Sequence, residues 1–268
     1  MDTLTQLSPA RRLGRSSHLK NLPDLRLKRD FLWGLRVIWK FLKRHKVKSI
    51  ISLALVISTV VVTTFPNDLA WHKAIRNDLD PAELSAAKSM NIDSDDVRKI
   101  SQVIGHTGSL AQFNFAIIFG LWMIGLARKS RYMQRLAMMV FVSTVLAGLV
   151  CNVFRFSMGR PRPFTNVDPA QFQGPQFQAK YHGFPSGHTS TAFGTAVPVV
   201  SALPTFGIPV LLYAGTMGWA RMYDKAHYPS DVLVGAYLGS LFGLAGGLPL
   251  ARAGRRARRI KRRQTTTG

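Results

Sequence analysis

The chain has 268 residues, and its 36 Lys and Arg against 13 Asp and Glu give a formal net charge of +23. A charge of that size often marks a nucleic-acid binder, but 47% of the residues are hydrophobic and lie in long, nearly uncharged runs, which argues against a soluble basic protein. The lone Cys151 sits inside an apolar run, which excludes an intrachain disulfide and a Cys-based metal site.

In chain order, residues 1–30 are polar and basic (Arg11, Arg12, Arg15, Lys20, Arg26, Lys28, Arg29) and lack the apolar stretch of a cleavable signal. They read as a disordered cytoplasmic tail. Residues 31–48 interleave Phe31, Trp33, Ile38 and Trp39 with Arg36, Lys40, Lys43 and Arg44, the pattern of a basic amphipathic helix lying in the headgroup region. A domain over 49–250 follows. Its first span runs from Ser49 to Phe65, long enough to cross the hydrocarbon core, and is expected to close at Pro66. Residues 67–107 hold most of the acids and read as an extracytoplasmic segment, with a short helix starting at Asp80-Pro81.

Further spans are predicted at Leu110–Ala127, Leu136–Phe154, Thr189–Leu203, Ile208–Ala220 and Asp231–Leu250. The fourth is short and rich in small residues, so it belongs inside the bundle, and Pro204-Thr205-Phe206-Gly207 reads as the tight turn after it. Gly235, Gly239, Gly243, Gly246 and Gly247 give the sixth span a close-packing face. Residues 251–268 form a second basic tail. The fold class is therefore all-α, an integral membrane bundle of about six transmembrane helices preceded by an interfacial helix. The excess of Arg and Lys in both tails and in the Arg128–Arg135 loop places these segments in the cytoplasm, and the acid-rich segment and two polar loops on the opposite face.

Three clusters fall where those outer loops meet spans: Arg155 to Pro163, Pro185-Ser186-Gly187-His188, and Ala220-Arg221 followed by His227 and Asp231. Ser186 suits a helix N-cap, and a helix start with Gly187 beside it favours an anion. Arg155, Arg162 and Arg221 supply always-charged forks for phosphate oxygens. His227 and Asp231 read as a base and its orienter, with His188 as a second imidazole in different surroundings. Taken singly, Arg221, Asp224, Lys225 and Asp231 also read as interfacial salt bridges. Arg160 is given a lesser role in loop structure or headgroup contact, and His106 and His182 none. The terminal basic runs read as topology signals and contacts for anionic lipids.

Together the clusters resemble the type 2 phosphatidic acid phosphatase (lipid phosphate phosphatase) superfamily, whose signature runs K-x6-R-P, P-S-G-H and S-R-x5-H-x3-D. The chain has R-x6-R-P at Arg155–Pro163, P-S-G-H at Pro185–His188 and A-R-x5-H-x3-D at Ala220–Asp231. The resemblance covers roughly Leu110 to Leu250, with Arg155 in place of the family's Lys and Ala220 in place of its Ser. It implies that His227 attacks phosphorus to form a phosphohistidine, that Asp231 holds the other ring nitrogen, and that His188 protonates the leaving group and then activates water. Arg155, Arg162, Arg221, Ser186 and Gly187 would bind the phosphate, with no metal or other cofactor. Pro229 is expected to interrupt the helix, with Ser230 capping the last span. The implied partner is a membrane lipid phosphate or diphosphate, with no nucleic acid, at the outer face of a bacterial inner membrane. A second reading is kept open by the Arg155 and Ala220 departures: a catalytically silent protein that binds anionic lipid headgroups or scaffolds partners.

Overall fold

The computed structural model describes residues 27–75, 99–104 and 112–266, and among these there is no strand. Helix α1 spans Leu27–Arg44, with Asp30 in its first turn and Lys43 and Arg44 in its last, each charge complementing the helix dipole. Its apolar stripe does more than face a headgroup layer. Gly34 and Ile38 are buried, and a Cβ on Gly34 would lie 3.2 Å from Val142. The expected interfacial helix is thus docked on the bundle by one side, while Trp39 is 68% exposed on the other.

Helix α2 covers Lys46–Thr59 and does not stop at Pro66. It passes through a π turn at Val60–Thr64 and a 3-10 turn at Phe65–Asn67 into α3, Asp68–Ile75. Pro66 falls in the first turn of the 3-10 segment, where its missing N–H leaves no gap in the helical ladder. The continuation carries Asp68 into the interior, fully buried. The N-terminal tail to residue 26, the helix expected at Asp80, His106 and most of the acid-rich segment lie outside the described residues.

The remaining helices match the predicted spans more closely. They are α4 (Gln112–Ala127), α5 (Arg131–Met158), α6 (Gly187–Ala202), α7 (Pro204–Tyr223) and α8 (Pro229–Thr266). Ser130 caps α5, and Gly159, with φ 63°, closes it in the left-handed conformation that glycine adopts freely. The reversal between α6 and α7 is tighter than expected. It takes place at Leu203, because Pro204 is accommodated in the first turn of α7. Helix α8 likewise starts earlier, with Pro229 in its first turn, and runs past Leu250 through the basic tail, whose Arg and Ala residues favour helix.

Three segments, Lys46–Ile75, Arg131–Thr165 and Pro229–Thr265, are long and apolar enough to cross a membrane, and Gln112–Ala127 is a shorter apolar helix. The architecture is an all-α membrane bundle. Helix α6 lies inside it, buried along most of its length between α5, α7 and α8. Polar groups on the inner helices bond across them: Thr144 to Thr195 at 2.7 Å, Thr195 to Asn114 at 2.7 Å, Ser190 to the Ala147 carbonyl at 3.2 Å. Away from water such groups need partners within the protein.

The α6–α8 contact rests on Gly235, Gly239, Gly243 and Gly247, one per turn of α8. A Cβ at any of them would overlap Ser186, Ser190, Val197 or Pro198 of the neighbouring helix start and α6. Gly239→Leu is therefore expected to destabilise the folded protein by about 1–3 kcal/mol or more. Gly120→Leu, where a Cβ meets nothing within 4 Å, should be close to neutral. Thermal unfolding of both variants in detergent checks the contrast.

Candidate active site

Helix ends bring the three sequence clusters together. Arg155 lies in the last turn of α5, Ser186 is the N-cap of α6, Arg221 is in the last turn of α7 and Asp231 in the first turn of α8. Backbone bonds tie the intervening loops. The Ser186 N–H donates to the Asp231 carbonyl at 2.9 Å, Gly183 N–H to the Arg160 carbonyl at 2.9 Å, and Phe164 N–H to the Lys225 carbonyl at 3.2 Å. The Ser186 hydroxyl accepts from the Thr189 N–H, so the expected cap is in place.

His227 is completely buried. Its Nδ1 lies 2.7 Å from the Gly183 carbonyl, which only accepts, so Nδ1 carries the proton. Nε2 is then the bare, nucleophilic nitrogen, and Arg155 Nη2 sits 3.4 Å from it as a donor. The Asp231 carboxylate, expected to hold Nδ1, is 3.7 Å away, so the direct hydrogen bond goes to a backbone oxygen instead. Burial holds the His227 imidazole well below its ordinary 6.5, and the positive charges of Arg155, Arg162 and Arg221 push the same way, against the Gly183 bond.

Those three guanidiniums, all only partly buried, are therefore within electrostatic reach of one imidazole. Arg155 Nε donates to the Pro185 carbonyl at 3.0 Å, and the guanidinium packs over Gly187, where a Cβ would stand 2.8 Å from Nη1. Arg162 Nε, Arg221 Nε and His188 Nδ1 are buried without a hydrogen-bond partner. The two unpaired guanidinium N–H groups have the charge and donor geometry that suit phosphate oxygens. His188 is partly exposed and interacts electrostatically with Arg221, His227, Arg155 and Arg162, so both imidazoles belong to this cluster. The Arg221–Asp224 pair, at 3.7 Å, is one interfacial salt bridge that does form. Ala220, which stands where the resembled motif has Ser, is fully buried.

The residue that sequence reasoning undervalued is Arg160. It is 1% exposed and lies between two carboxylates, with Nη2 2.7 Å from Asp68 and Nη1 2.5 Å from Asp231. Nε donates to the Pro169 carbonyl at 2.9 Å, and Nη1 also reaches the Ser230 hydroxyl at 2.6 Å. The rings of Phe65 and Tyr228 lie 4.5 and 4.9 Å from the guanidinium carbon. Ser230 donates its N–H and hydroxyl to Asp68 and does not cap α8. The helix start is stabilised by Asp231, whose Oδ2 accepts the Tyr228 N–H at 2.7 Å, half of a capping box around Pro229. With both carboxylates engaged in this way, no group of three or more His, Cys, Asp or Glu among the described residues is placed to hold a metal.

Fold and site thus define an all-helical membrane protein with a cationic, two-histidine cluster at the helix ends. Residues 136–247 match the PAP2 superfamily. It is 30% identical over 125 residues to a lipid A 1-phosphatase of Rhizobium etli, covering 46% of this chain and 54% of that protein. It is 28% identical over 108 residues to an undecaprenyl-diphosphatase of Sulfolobus acidocaldarius, covering 40% of this chain and 52% of the relative. The chain spans about half the length of these curated relatives. The crystal structure of Aquifex aeolicus LpxE is also similar, with a TM-score of 0.44 and 23% identity over 67% of this chain and 93% of that one.

Arg160→Met leaves two buried carboxylates facing each other and is expected to cost about 3–5 kcal/mol of stability. The exposed Arg256→Met should cost less than about 0.5 kcal/mol. Chemical denaturation in detergent reads the difference. The depressed His227 value has its own outcome: the ring stays neutral as pH falls through 6.5 and takes up a proton only below it. An NMR titration of histidine-labelled protein, with His227→Asn assigning the resonance among seven histidines, checks this, and a midpoint at or above 6.5 would contradict it.

Proposed function

We propose that the protein is a metal-independent membrane phosphatase that removes phosphate from a lipid phosphate or diphosphate at the extracytoplasmic face, through a phosphohistidine intermediate. The observation that carries this reading is the bare Nε2 of His227 among three guanidiniums, two of them with unmet donors. In the reaction, His227 Nε2 forms a bond to phosphorus as the bond to the leaving lipid oxygen breaks. His188 supplies the proton to that oxygen. It then takes a proton from water, whose oxygen attacks phosphorus and breaks the N–P bond, releasing inorganic phosphate and restoring both imidazoles.

Arg155, Arg162 and Arg221 would take the equatorial oxygens, with Ser186 and the Gly187 N–H at the start of α6 adding neutral donors. A phosphate entering between them would draw Arg155 Nη2 off the nucleophile it now covers. Asp231 acts less as a direct partner of His227 than as the anchor that fixes its loop. The substrate is read as a phosphate on an apolar anchor held in the bilayer, since the similar proteins are named for lipid A and undecaprenyl diphosphate. Both termini and the basic Arg128–Arg135 loop would then face the cytoplasm.

The test is phosphate release by purified protein in detergent, with chelator present, across phosphatidic acid, phosphatidylglycerol phosphate, undecaprenyl diphosphate and lipid A. Activity is expected to survive the chelator and to vanish in His227→Ala, with loss of an acid-labile phosphoenzyme. His188→Ala should slow turnover by about 10²–10⁴-fold. Release unchanged in His227→Ala, or absent for every lipid, would remove the reading and favour the non-catalytic alternative.

A further inference from the structure

A cavity with polar and apolar lining lies at the end of the bundle away from the His227 cluster. Its volume is about 360 Å³, and Arg128, Ser130, Tyr132 and Arg258 line it together with an apolar wall that includes Ile124, Met133 and Leu203. Helix α5 separates it from the catalytic cluster by about 35 Å from Tyr132 to Arg155, and α8 by about 40 Å from Asp231 to Arg258, at the usual helical rise. That separation exceeds the thickness of a hydrocarbon core, about 30 Å, so the two sites face opposite leaflets.

The cavity exists because α8 continues beyond its apolar stretch. Gly254 lets the helix pass against the Tyr132 ring, where a Cβ would lie 2.8 Å from Cε2. The extension carries Arg255 and Arg258 into electrostatic reach of that tyrosine. Neither 112–135 nor 251–266 contains an Asp or Glu. The carboxylate of Asp30 lies 4.0 Å from Arg131 and not at the cavity's two arginines. Arg128 and Arg258 are both exposed and accessible. Cations gathered over an apolar wall at a membrane surface suit a ligand with an anionic head and a hydrocarbon body. The chain's own first 26 residues do not fit, since their Arg and Lys residues would be repelled.

We propose that this cavity binds the phosphate of an anionic phospholipid from the leaflet opposite the catalytic cluster, with Arg128 and Arg258 on the phosphate and Ile124, Met133 and Leu203 along the start of an acyl chain. The proposal rests on the chain spanning the bilayer and not on its turnover, so it stands or falls separately from the phosphatase reading.

Native mass spectrometry of the detergent-purified full chain tests it, using dioleoylphosphatidylglycerol, dioleoylphosphatidylcholine and sodium phosphate as probes. Phosphatidylglycerol should bind saturably and phosphatidylcholine should not, a comparison that needs no variant. Its affinity should fall about 30-fold in Arg128→Gln/Arg258→Gln, which loses two contacts of the strength typical for a basic residue at an anionic surface. Arg256→Gln/Arg259→Gln removes the same charge outside the cavity and should leave affinity within about threefold. Equal binding of both lipids, or equal losses in the two double variants, would overturn the site. Displacement of phosphatidylglycerol by inorganic phosphate would assign the cavity to a free anion and overturn the lipid.

Discussion

The structure turns on one buried cation. Arg160 stands between Asp68 and Asp231 with almost no exposure, and a lone guanidinium there would be prohibitively costly. The cost is met by two carboxylates, the Ser230 hydroxyl, the Pro169 carbonyl and aromatic faces on both sides. These partners come from three separate stretches of chain. The first membrane helix contributes Asp68, the loop after α5 contributes Arg160 and Pro169, and the start of α8 contributes Ser230 and Asp231. If either carboxylate withdraws, buried charge is left uncompensated. The loops at this end of the bundle are thereby tied together, alongside the packing of Phe65, Phe172 and Phe184 on one another.

This cluster also sorts the cations of the site into two kinds. Arg160 uses its donors on the protein, which makes it part of the scaffold. Arg162 and Arg221 keep donors without partners, and their side chains stay partly open. The two kinds are chemically identical, and Arg160 and Arg162 are only two positions apart in sequence. What separates them is how fully the protein occupies their donors: Arg160 is held by two buried carboxylates, whereas Arg162 and Arg221 each keep an unpaired Nε. The same logic divides the histidines. His227 is sealed in, with its tautomer set by the Gly183 carbonyl, while His188 remains partly exposed at the start of α6. The proposed roles would use that difference, since a nucleophile benefits from a fixed, neutral ring and a proton-transfer group needs access to leaving group and water.

Much of this was legible in the sequence, for identifiable reasons. Long apolar runs located the membrane helices because hydrocarbon thickness demands a certain length. The spacing of Arg155, Arg162, Ser186, Arg221 and His227 pointed to the cluster because Arg155, Ser186 and Arg221 lie at helix ends and Arg162 and His227 in the loops that join them. Arg160 was undervalued because its partner Asp68 is 92 residues away, in a segment that local propensity assigns to a loop after Pro66. Only tertiary pairing explains why α2 continues through a π turn into α3. The Gly183 carbonyl was invisible for another reason: a backbone acceptor has no residue-type signature. The helical course of the basic tail was hidden by its charge, which signals topology strongly and conformation weakly.

The arginine at position 155 shows how such a departure from the family pattern is absorbed. A lysine there would offer one compact ammonium on a flexible stem. Arg155 instead spans two places at once, with Nε on the Pro185 carbonyl and Nη2 at His227 Nε2. Its planar fork thus links the loop that begins α6 to His227 on the loop before α8. That bridge requires the backbone at 187 to lie close beneath it, where even a methyl group would collide with Nη1. Gly187 is consequently constrained from above by the arginine as well as from within by its position in the first turn of α6. The exchange of Lys for Arg therefore keeps the charge and adds a geometric tie between two of the three motifs, which is a reason to treat Arg155, Gly187 and His227 as one unit.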